Sequence, residues 1–166
     1  MPSAMRCVIL VPVGGSIDPG CEDGLRELER RGYPVWRVRG YAAIDAARNQ
    51  LATDALAQGF DELMWIDADV AFDAGDVDKL RRHDLPLVCG IYPKKSRRQF
   101  ACSFLPQTRQ LVFGVQGGPI EILYCGFGFV LTRRGEKEGK KGKRGRDSEG
   151  KRGRDSRGKG VGTRNY

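Results

Sequence analysis

Histidine, glycine-rich nucleotide motifs and paired cysteines are scarce or missing in this sequence of 166 residues. With one histidine, His83, no histidine-rich metal site can be built, and its place behind two arginines at a predicted helix end indicates a solvated charge. Gly14-Gly15-Ser16 follows the first apolar run, but Gly20 comes too late to complete Gly-x-Gly-x-x-Gly. These absences argue against a histidine-ligated metal centre and against a dinucleotide-binding fingerprint.

The five cysteines are odd in number and contain no Cys-x-x-Cys pair. Cys7, Cys89 and Cys125 lie within apolar runs, where a free thiol packs as a small hydrophobic group. This usage predicts a reducing compartment, the cytoplasm. The apolar stretch before Val13 is too short to span a membrane and lacks a convincing signal-peptide cleavage site, so we expect it to be the first strand.

Positive charge is concentrated at one end of the chain. Residues 1–132 hold 15 Lys/Arg and 16 Asp/Glu, whereas residues 133–166 hold 14 Lys/Arg and 5 Asp/Glu. Residues 133–166 contain no Leu, Ile, Phe, Trp, Met or Cys, and residues 142–149 are nearly repeated in residues 150–157. We therefore predict a folded domain over 1–134 and a disordered basic tail over 135–166. The tail is either a solvated appendage or a weak binder of nucleic acid and other polyanions.

Strand and helix patterns alternate along the first part of the chain, which predicts an α/β fold with a parallel sheet. Asp18 with Pro19, and Asp73, are typical helix starts. The predicted strands are 7–13, 35–38, 63–66 and 87–92, with weaker signals at 100–105, 111–115 and 120–131, and the predicted helices are those following Asp18 and Asp73 and 42–58. We expect antiparallel additions after residue 92.

Asp67 and Asp69 follow an apolar run that is typical of a strand buried on both faces. Side chains two residues apart on an extended chain point to the same side, so both carboxylates would lie at the carboxyl edge of the sheet. Carboxylate oxygens are the ligands that Mg²⁺ and Mn²⁺ prefer. The alternatives are an acidic turn before a helix, or the paired aspartates of a phosphatase or nucleotidyltransferase.

Several segments, in their order along the chain, resemble the nucleotide-sugar glycosyltransferases of the GT-A fold, in particular the family 2 type. The segments that carry the likeness are Val11-Pro12, Ala46-Ala47-Arg48-Asn49, the Asp-x-Asp motif in 60–69, Gly90 to Lys95, and Tyr124 to Arg134. The resemblance covers about residues 6–134 and implies a Rossmann-like, mostly parallel sheet flanked by helices. It also implies a metal-dependent hexosyltransferase that uses a nucleotide-sugar donor.

The resemblance implies a role for individual residues. Asp69 would be the direct ligand of Mn²⁺ or Mg²⁺, and Asp67 would contact the ribose or a metal-bound water. The residues implied to bind the nucleotide sugar are Pro12, Val13, Asp45, Arg48, Asp67, Ala68 and Gly126. Two alternatives stay open: Arg48 as a solvated helix charge, and the Gly126-Phe127-Gly128 segment as a strand bulge. Lys94 and Lys95 would either meet phosphate or lie in a solvated loop.

The family's domain continues beyond the position of Arg134, where this chain becomes glycine-rich and basic. The family's acceptor-side carboxylate, the base of inverting members, has no counterpart there, and Asp73 and Glu121 are candidates by elimination alone. Truncation or a shifted reading frame would produce such a change. We therefore expect donor binding with impaired transfer. The alternative is a catalytically silent nucleotide-binding remnant whose tail binds polyanions.

Overall fold

The computed structural model describes residues 6–40, 43–95, 98–114 and 117–135. Within them the chain forms seven strands and three helices. The strands are β1 (Cys7–Pro12), β2 (Val35–Val38), β3 (Glu62–Ile66), β4 (Leu87–Cys89), β5 (Cys102–Phe104), β6 (Ile122–Cys125) and β7 (Phe129–Arg133). The helices are α1 (Pro19–Arg30), α2 (Ile44–Ala57) and α3 (Ala74–Arg82). The predicted disorder of the tail falls, from residue 136 onward, outside the described residues.

Five strands form a mixed sheet in the order β2-β1-β3-β7-β4. β1 pairs in parallel with β2 and β3, whereas β7 is antiparallel to both β3 and β4. Because β3 and β4 both oppose β7, they run in the same direction as each other. The strands β5 and β6 form a separate two-stranded antiparallel sheet. The α/β architecture and the antiparallel additions are as the sequence predicts.

Side chains alternate between the two faces of the five-stranded sheet and build one core on each. Ile9 and Met64 pack with residues of α1 and α3, whereas Leu10 and Trp65 pack with residues of α2. All residues of β1 and β3 are buried, which explains why β1 and residues 63–66 of β3 are apolar runs in the sequence.

Three strand predictions need correction. The signal at 120–131 is two strands, β6 and β7, separated by a turn at Gly126–Gly128. The strand predicted at 87–92 ends at Cys89, and residues 111–114 contain no strand in the described part of that segment. Glycine spacing alone did not reveal the turn, because the flanking residues are apolar on both sides.

No helix in the described ranges is long and apolar enough to cross a membrane. Large apolar side chains are nevertheless exposed around the two-stranded sheet. Leu123, Tyr124 and Phe113 expose 69%, 66% and 62% of their surface, which leaves this half of the domain poorly covered.

Candidate functional site

The carboxyl edge of the five-stranded sheet collects polar groups from several segments. β1 and β3 end there, at Pro12 and Ile66. β7 begins there because it runs in the opposite direction, so the Gly126–Gly128 turn that precedes it lies against the end of β3. The antiparallel strand thus brings residues far apart in sequence to the edge where open α/β sheets bind ligands.

Asp67 follows β3 directly, and its backbone is fixed by two hydrogen bonds. Its N–H donates to the Gly128 carbonyl at 2.9 Å, and its carbonyl accepts from the Val70 N–H at 3.1 Å. The second bond closes a turn through Ala68 and Asp69. The sequence argument assumed an extended chain here, and that assumption is wrong: the two carboxylates lie on a turn at the strand end.

Arg48 in α2 forms an ion pair with Asp67. Its Nη2 lies 2.8 Å from Asp67 Oδ1, and its guanidinium stacks 5.0 Å from the centre of the Phe127 ring. The Arg48 side chain is 23% exposed, so the alternative of a solvated helix charge is wrong. Its Nε is buried and has no hydrogen-bond partner among the described residues. An acceptor oxygen from a water or a ligand would satisfy that donor.

Burial raises the pKa of the Asp67 carboxyl above its ordinary value of 3.8. The Arg48 guanidinium opposes this rise in pKa, while the Asp69 carboxylate adds to it. The two aspartates are therefore electrostatically coupled, and each already faces a cationic side chain.

Lys95 is the cation that Asp69 faces. Its Nζ lies 3.3 Å from Asp69 Oδ2 and 2.8 Å from Asp18 Oδ2. Asp18 occupies the N-cap position of α1 as predicted, but its side chain makes no capping hydrogen bond. The sequence did not reveal this site role for Asp18, because Lys95 is 77 residues away.

Tyr92 supports the glycine turn from the side of β4. Its hydroxyl accepts from the Gly128 N–H at 3.0 Å, and a β-carbon at Gly128 would collide with that hydroxyl and lie 3.0 Å from Asp67 Oδ2. A β-carbon at Gly126 would lie 2.9 Å from the same hydroxyl. The segment is therefore a tight turn that requires glycine, and the alternative of a strand bulge is wrong. Sequence reasoning gave Tyr92 no role of its own.

The other predicted binding residues differ in exposure. Pro12 and Val13 are buried, and the Val13 N–H donates to the Val38 carbonyl at 2.8 Å. Ala68 is half-buried and packs against the core, while Asp45 is exposed in the first turn of α2. The Asp45 carboxylate, the one polar side chain of the four, accepts no hydrogen bond within the described residues.

A cavity of about 580 Å³ opens elsewhere and contacts none of the predicted site residues. It lies at the start of β1, and its lining includes Arg31, Asp78 and Arg81. Arg31 Nη1 pairs with Asp78 Oδ2 at 3.1 Å, and Arg81 donates to the Tyr33 hydroxyl at 3.0 Å. Because this lining is internally paired, the carboxyl edge is the better candidate site.

These observations define an α/β protein whose polar residues cluster at the carboxyl edge of a mixed sheet. Its fold is similar to that of "A197 from STIV", known from a crystal structure, with a TM-score of 0.56 and 22% sequence identity. The match covers 78% of this chain and 65% of that protein, so the chain spans less than two thirds of its length. No protein-family model and no curated protein matches the sequence.

Proposed function

We propose that the protein is a glycosyltransferase of the GT-A type that binds the diphosphate of a nucleotide sugar beside Asp67 and Asp69. The observation that carries the proposal is the meeting of these carboxylates with Arg48 and Lys95 at the carboxyl edge. Such an edge is where open α/β sheets bind nucleotides. The cationic side chains could bind the phosphates of such a ligand, and the carboxylates could bind a metal ion that accompanies it.

Arg48 has the environment of a phosphate-binding or base-binding group. Its guanidinium is half-buried, held in place by Asp67 and Phe127, and retains one buried donor without a partner. A rigidly held guanidinium loses little conformational entropy when it donates hydrogen bonds to a phosphate. Lys95 is 64% exposed and adds a flexible positive charge beside the same site.

The carboxylates fit a hard divalent cation. Asp67 and Asp69 supply oxygen ligands, and Mg²⁺ is commonly held by one or two carboxylates together with substrate phosphates. The described residues contain no group of three His, Cys, Asp or Glu side chains arranged to hold a metal alone. The donor phosphates would therefore have to supply the remaining ligands. Bound there, Mn²⁺ or Mg²⁺ would neutralise negative charge on the departing nucleoside diphosphate.

A second candidate function is nucleotide binding without transfer. Asp73, one of two carboxylates considered as base, is the N-cap of α3, and its Oδ1 accepts from the Gly75 N–H at 2.7 Å. A capping carboxylate is occupied structurally and poorly placed to remove a proton from an acceptor. Glu121 is exposed in the segment before β6. The glycosyltransferase proposed above would accordingly transfer inefficiently, with slow hydrolysis of the donor, whereas the second candidate would bind the donor without cleaving it.

Thermal unfolding with nucleoside diphosphates tests the binding proposal. UDP or GDP should raise the melting temperature more with Mn²⁺ than without it, because a ligand of the folded state stabilises it by mass action. Asp69→Asn should remove the metal-dependent part. Asp23→Asn, an equal change of charge at an exposed position on α1, should retain it. Equal gains in both variants would refute the assignment.

Release of nucleoside diphosphate from a panel of nucleotide sugars separates the two candidates. Slow release that acceptors do not accelerate supports hydrolysis without efficient transfer. Strong acceptor-dependent turnover would place the catalytic base within residues 1–134. Binding without any release identifies the silent nucleotide-binding protein.

A further inference from the structure

Three thiols meet where the two-stranded sheet adjoins the five-stranded sheet. Cys102 in β5 and Cys125 in β6 are directly opposite each other. The Gly126 N–H donates to the Ala101 carbonyl, so the hydrogen bond joins the residues that flank this pair. That pattern makes Cys102 and Cys125 a non-hydrogen-bonded antiparallel pair, in which the two side chains share a face and approach closely.

Cys89 completes the cluster from β4. Cys89 and Cys125 are both half-buried and pack against the same core, on the side of the sheet that α2 covers. Burial raises the pKa of Cys89 to about 12, and the neighbouring Cys125 and Cys102 thiols add to this rise. The cysteines Cys89, Cys102 and Cys125 are half-buried, whereas Cys7 and Cys21 are buried in the core on the side of α1 and α3.

The backbone spacing of the cross-strand pair suits a disulfide. Non-hydrogen-bonded antiparallel residues have α-carbons about 4.5 Å apart, within the range of about 4.4–6.8 Å found across disulfides. All five cysteines are free thiols in the structure. The arrangement therefore holds a reduced dithiol whose strands are already in register for a covalent link.

We propose that Cys125 is the shared sulfur of a reversible intramolecular disulfide, with Cys102, its partner across the strands, as one possible bonding partner and Cys89, which packs against the same core, as the other. A small-molecule disulfide such as oxidised glutathione is the oxidant. One cysteine thiolate attacks it and releases one glutathione thiol, and the second cysteine then displaces the other glutathione. The two cysteines lose two protons and two electrons, and the oxidant becomes two thiols.

The disulfide would fix the turn that supports Asp67. Cys102 follows Ala101, whose N–H donates to the Tyr92 carbonyl at 2.8 Å, and Cys125 precedes Gly126. A Cys102–Cys125 bond would thus clamp Ala101 against Gly126, beside the Tyr92 hydroxyl that holds Gly128. Oxidation is expected to stiffen one wall of the carboxyl-edge site without contacting a ligand there.

Peptide mapping of the full chain tests the proposal. Trypsin separates the three cysteines, because Lys94, Arg98 and Arg109 lie between them. After incubation with oxidised glutathione at mildly alkaline pH, the Cys125 peptide should be linked to the Cys102 peptide or the Cys89 peptide. Dithiothreitol should reverse the link. The melting temperature of the oxidised protein should be several degrees higher.

Cysteine-to-serine variants identify the shared sulfur. Cys89→Ser and Cys102→Ser should each still form one intramolecular disulfide, whereas Cys125→Ser and the double variant Cys89→Ser/Cys102→Ser should form none. The peptide map of the oxidised wild-type protein identifies the linked cysteines even if a variant folds poorly. Links that involve Cys7 or Cys21, links between molecules alone, or stable mixed disulfides at Cys125 would overturn the proposal.

Discussion

Lys95 lies beside Asp69 where the proposed function requires a divalent cation. Its ammonium group contacts Asp69 and also Asp18, which belongs to the start of α1. A tethered ammonium and a bound metal cannot both occupy the same side of one carboxylate without repulsion. Metal binding in this site should therefore displace Lys95.

Lys95→Gln should tighten Mn²⁺ binding a few-fold, because the competing charge is removed while the carboxylates stay. Titration calorimetry of the metal with and without nucleoside diphosphate measures the change. Lys94→Gln is the matched control, since it removes the same charge from the residue next to Lys95. If both variants bind Mn²⁺ alike, Lys95 does not compete with the metal.

The raised pKa of Asp67 has a consequence for stability. The folded protein holds the Asp67 proton to higher pH than the unfolded chain does. Stability is therefore lost as pH rises from the ordinary value of 3.8 through the folded pKa, and this contribution is constant above it. Metal binding changes in the opposite direction, because only the carboxylate form is a ligand.

Arg48→Met should raise the pKa of Asp67 further, since the guanidinium now lowers it. Carbon NMR of the Asp67 carboxyl group during an acid titration follows the shift. Arg109→Met, at an exposed position, should leave the Asp67 titration unchanged. A wild-type Asp67 pKa at or below 3.8 would contradict the account of burial given above.

Gly128→Ala should destabilise the protein by about 1–3 kcal/mol, the usual cost of forcing an extra methyl group into a packed site. The new β-carbon would collide with the Tyr92 hydroxyl, so Tyr92→Phe should relieve part of the cost in the double variant. A β-carbon at Gly118 would have no other atom within 4 Å, so Gly118→Ala serves as the control. Urea unfolding measures the wild type, the two single variants, the double variant and the control, and strict additivity in the double variant would show that Tyr92 is not the obstacle.

The side chain of Glu62 links β3, α3 and β7. It is the first residue of β3 and is 1% exposed. Its carboxylate accepts from Arg81 Nε at 2.6 Å and from Arg133 Nε at 2.8 Å, which ties β3 to α3 and β7. A buried carboxylate between two guanidinium groups is retained only while both partners remain.

Glu62→Gln should lower the free energy of unfolding by about 3 kcal/mol, because it leaves two arginines facing a neutral amide in a buried position. Glu121→Gln, which removes an exposed charge, should change it little. The urea midpoint should fall with an unchanged slope. A loss below about 0.5 kcal/mol would mean that the ion pairs are no better than surface pairs.

Local patterns predicted the helices and the buried strands because each signal lies within one segment. Proline at residue 19 and the Asp73 cap mark two helix starts, and the apolar runs mark β1 and β3. The division between β6 and β7 was missed because it depends on contacts of Gly128 with Tyr92 and Asp67. The partners of Asp67 and Asp69 were missed for the same reason: the sheet brings them together over long separations.

The charge of the whole molecule is divided unequally between its described part and the segment from residue 136. Residues 133–166 carry 14 Lys/Arg against 5 Asp/Glu, and most of them lie outside the described residues. Their composition predicts no contribution to the core and a sequence-independent attraction to polyanions.

Deleting residues 135–166 should leave the melting temperature nearly unchanged and should abolish weak binding to nucleic acid. Fluorescence anisotropy with a labelled oligonucleotide at several salt concentrations measures that binding. In the full chain it should fall steeply as salt rises, because released counterions drive it. A large drop in melting temperature on deletion would reveal packing by the tail.

The position of β7 between β3 and β4 has a consequence for synthesis of the chain. Its neighbours β3 and β4 are translated before it, and in the sheet each of them is hydrogen-bonded to β7 and not to the other. A nascent chain that has not reached Arg133 therefore carries two unpaired strand edges and a Glu62 that lacks one of its cations. Such edges are sites for pairing with other chains. The sheet is complete only after β7, the last strand within the described residues, has been synthesised, so until then the unpaired edges of β3 and β4 should be open to aggregation and to chaperones.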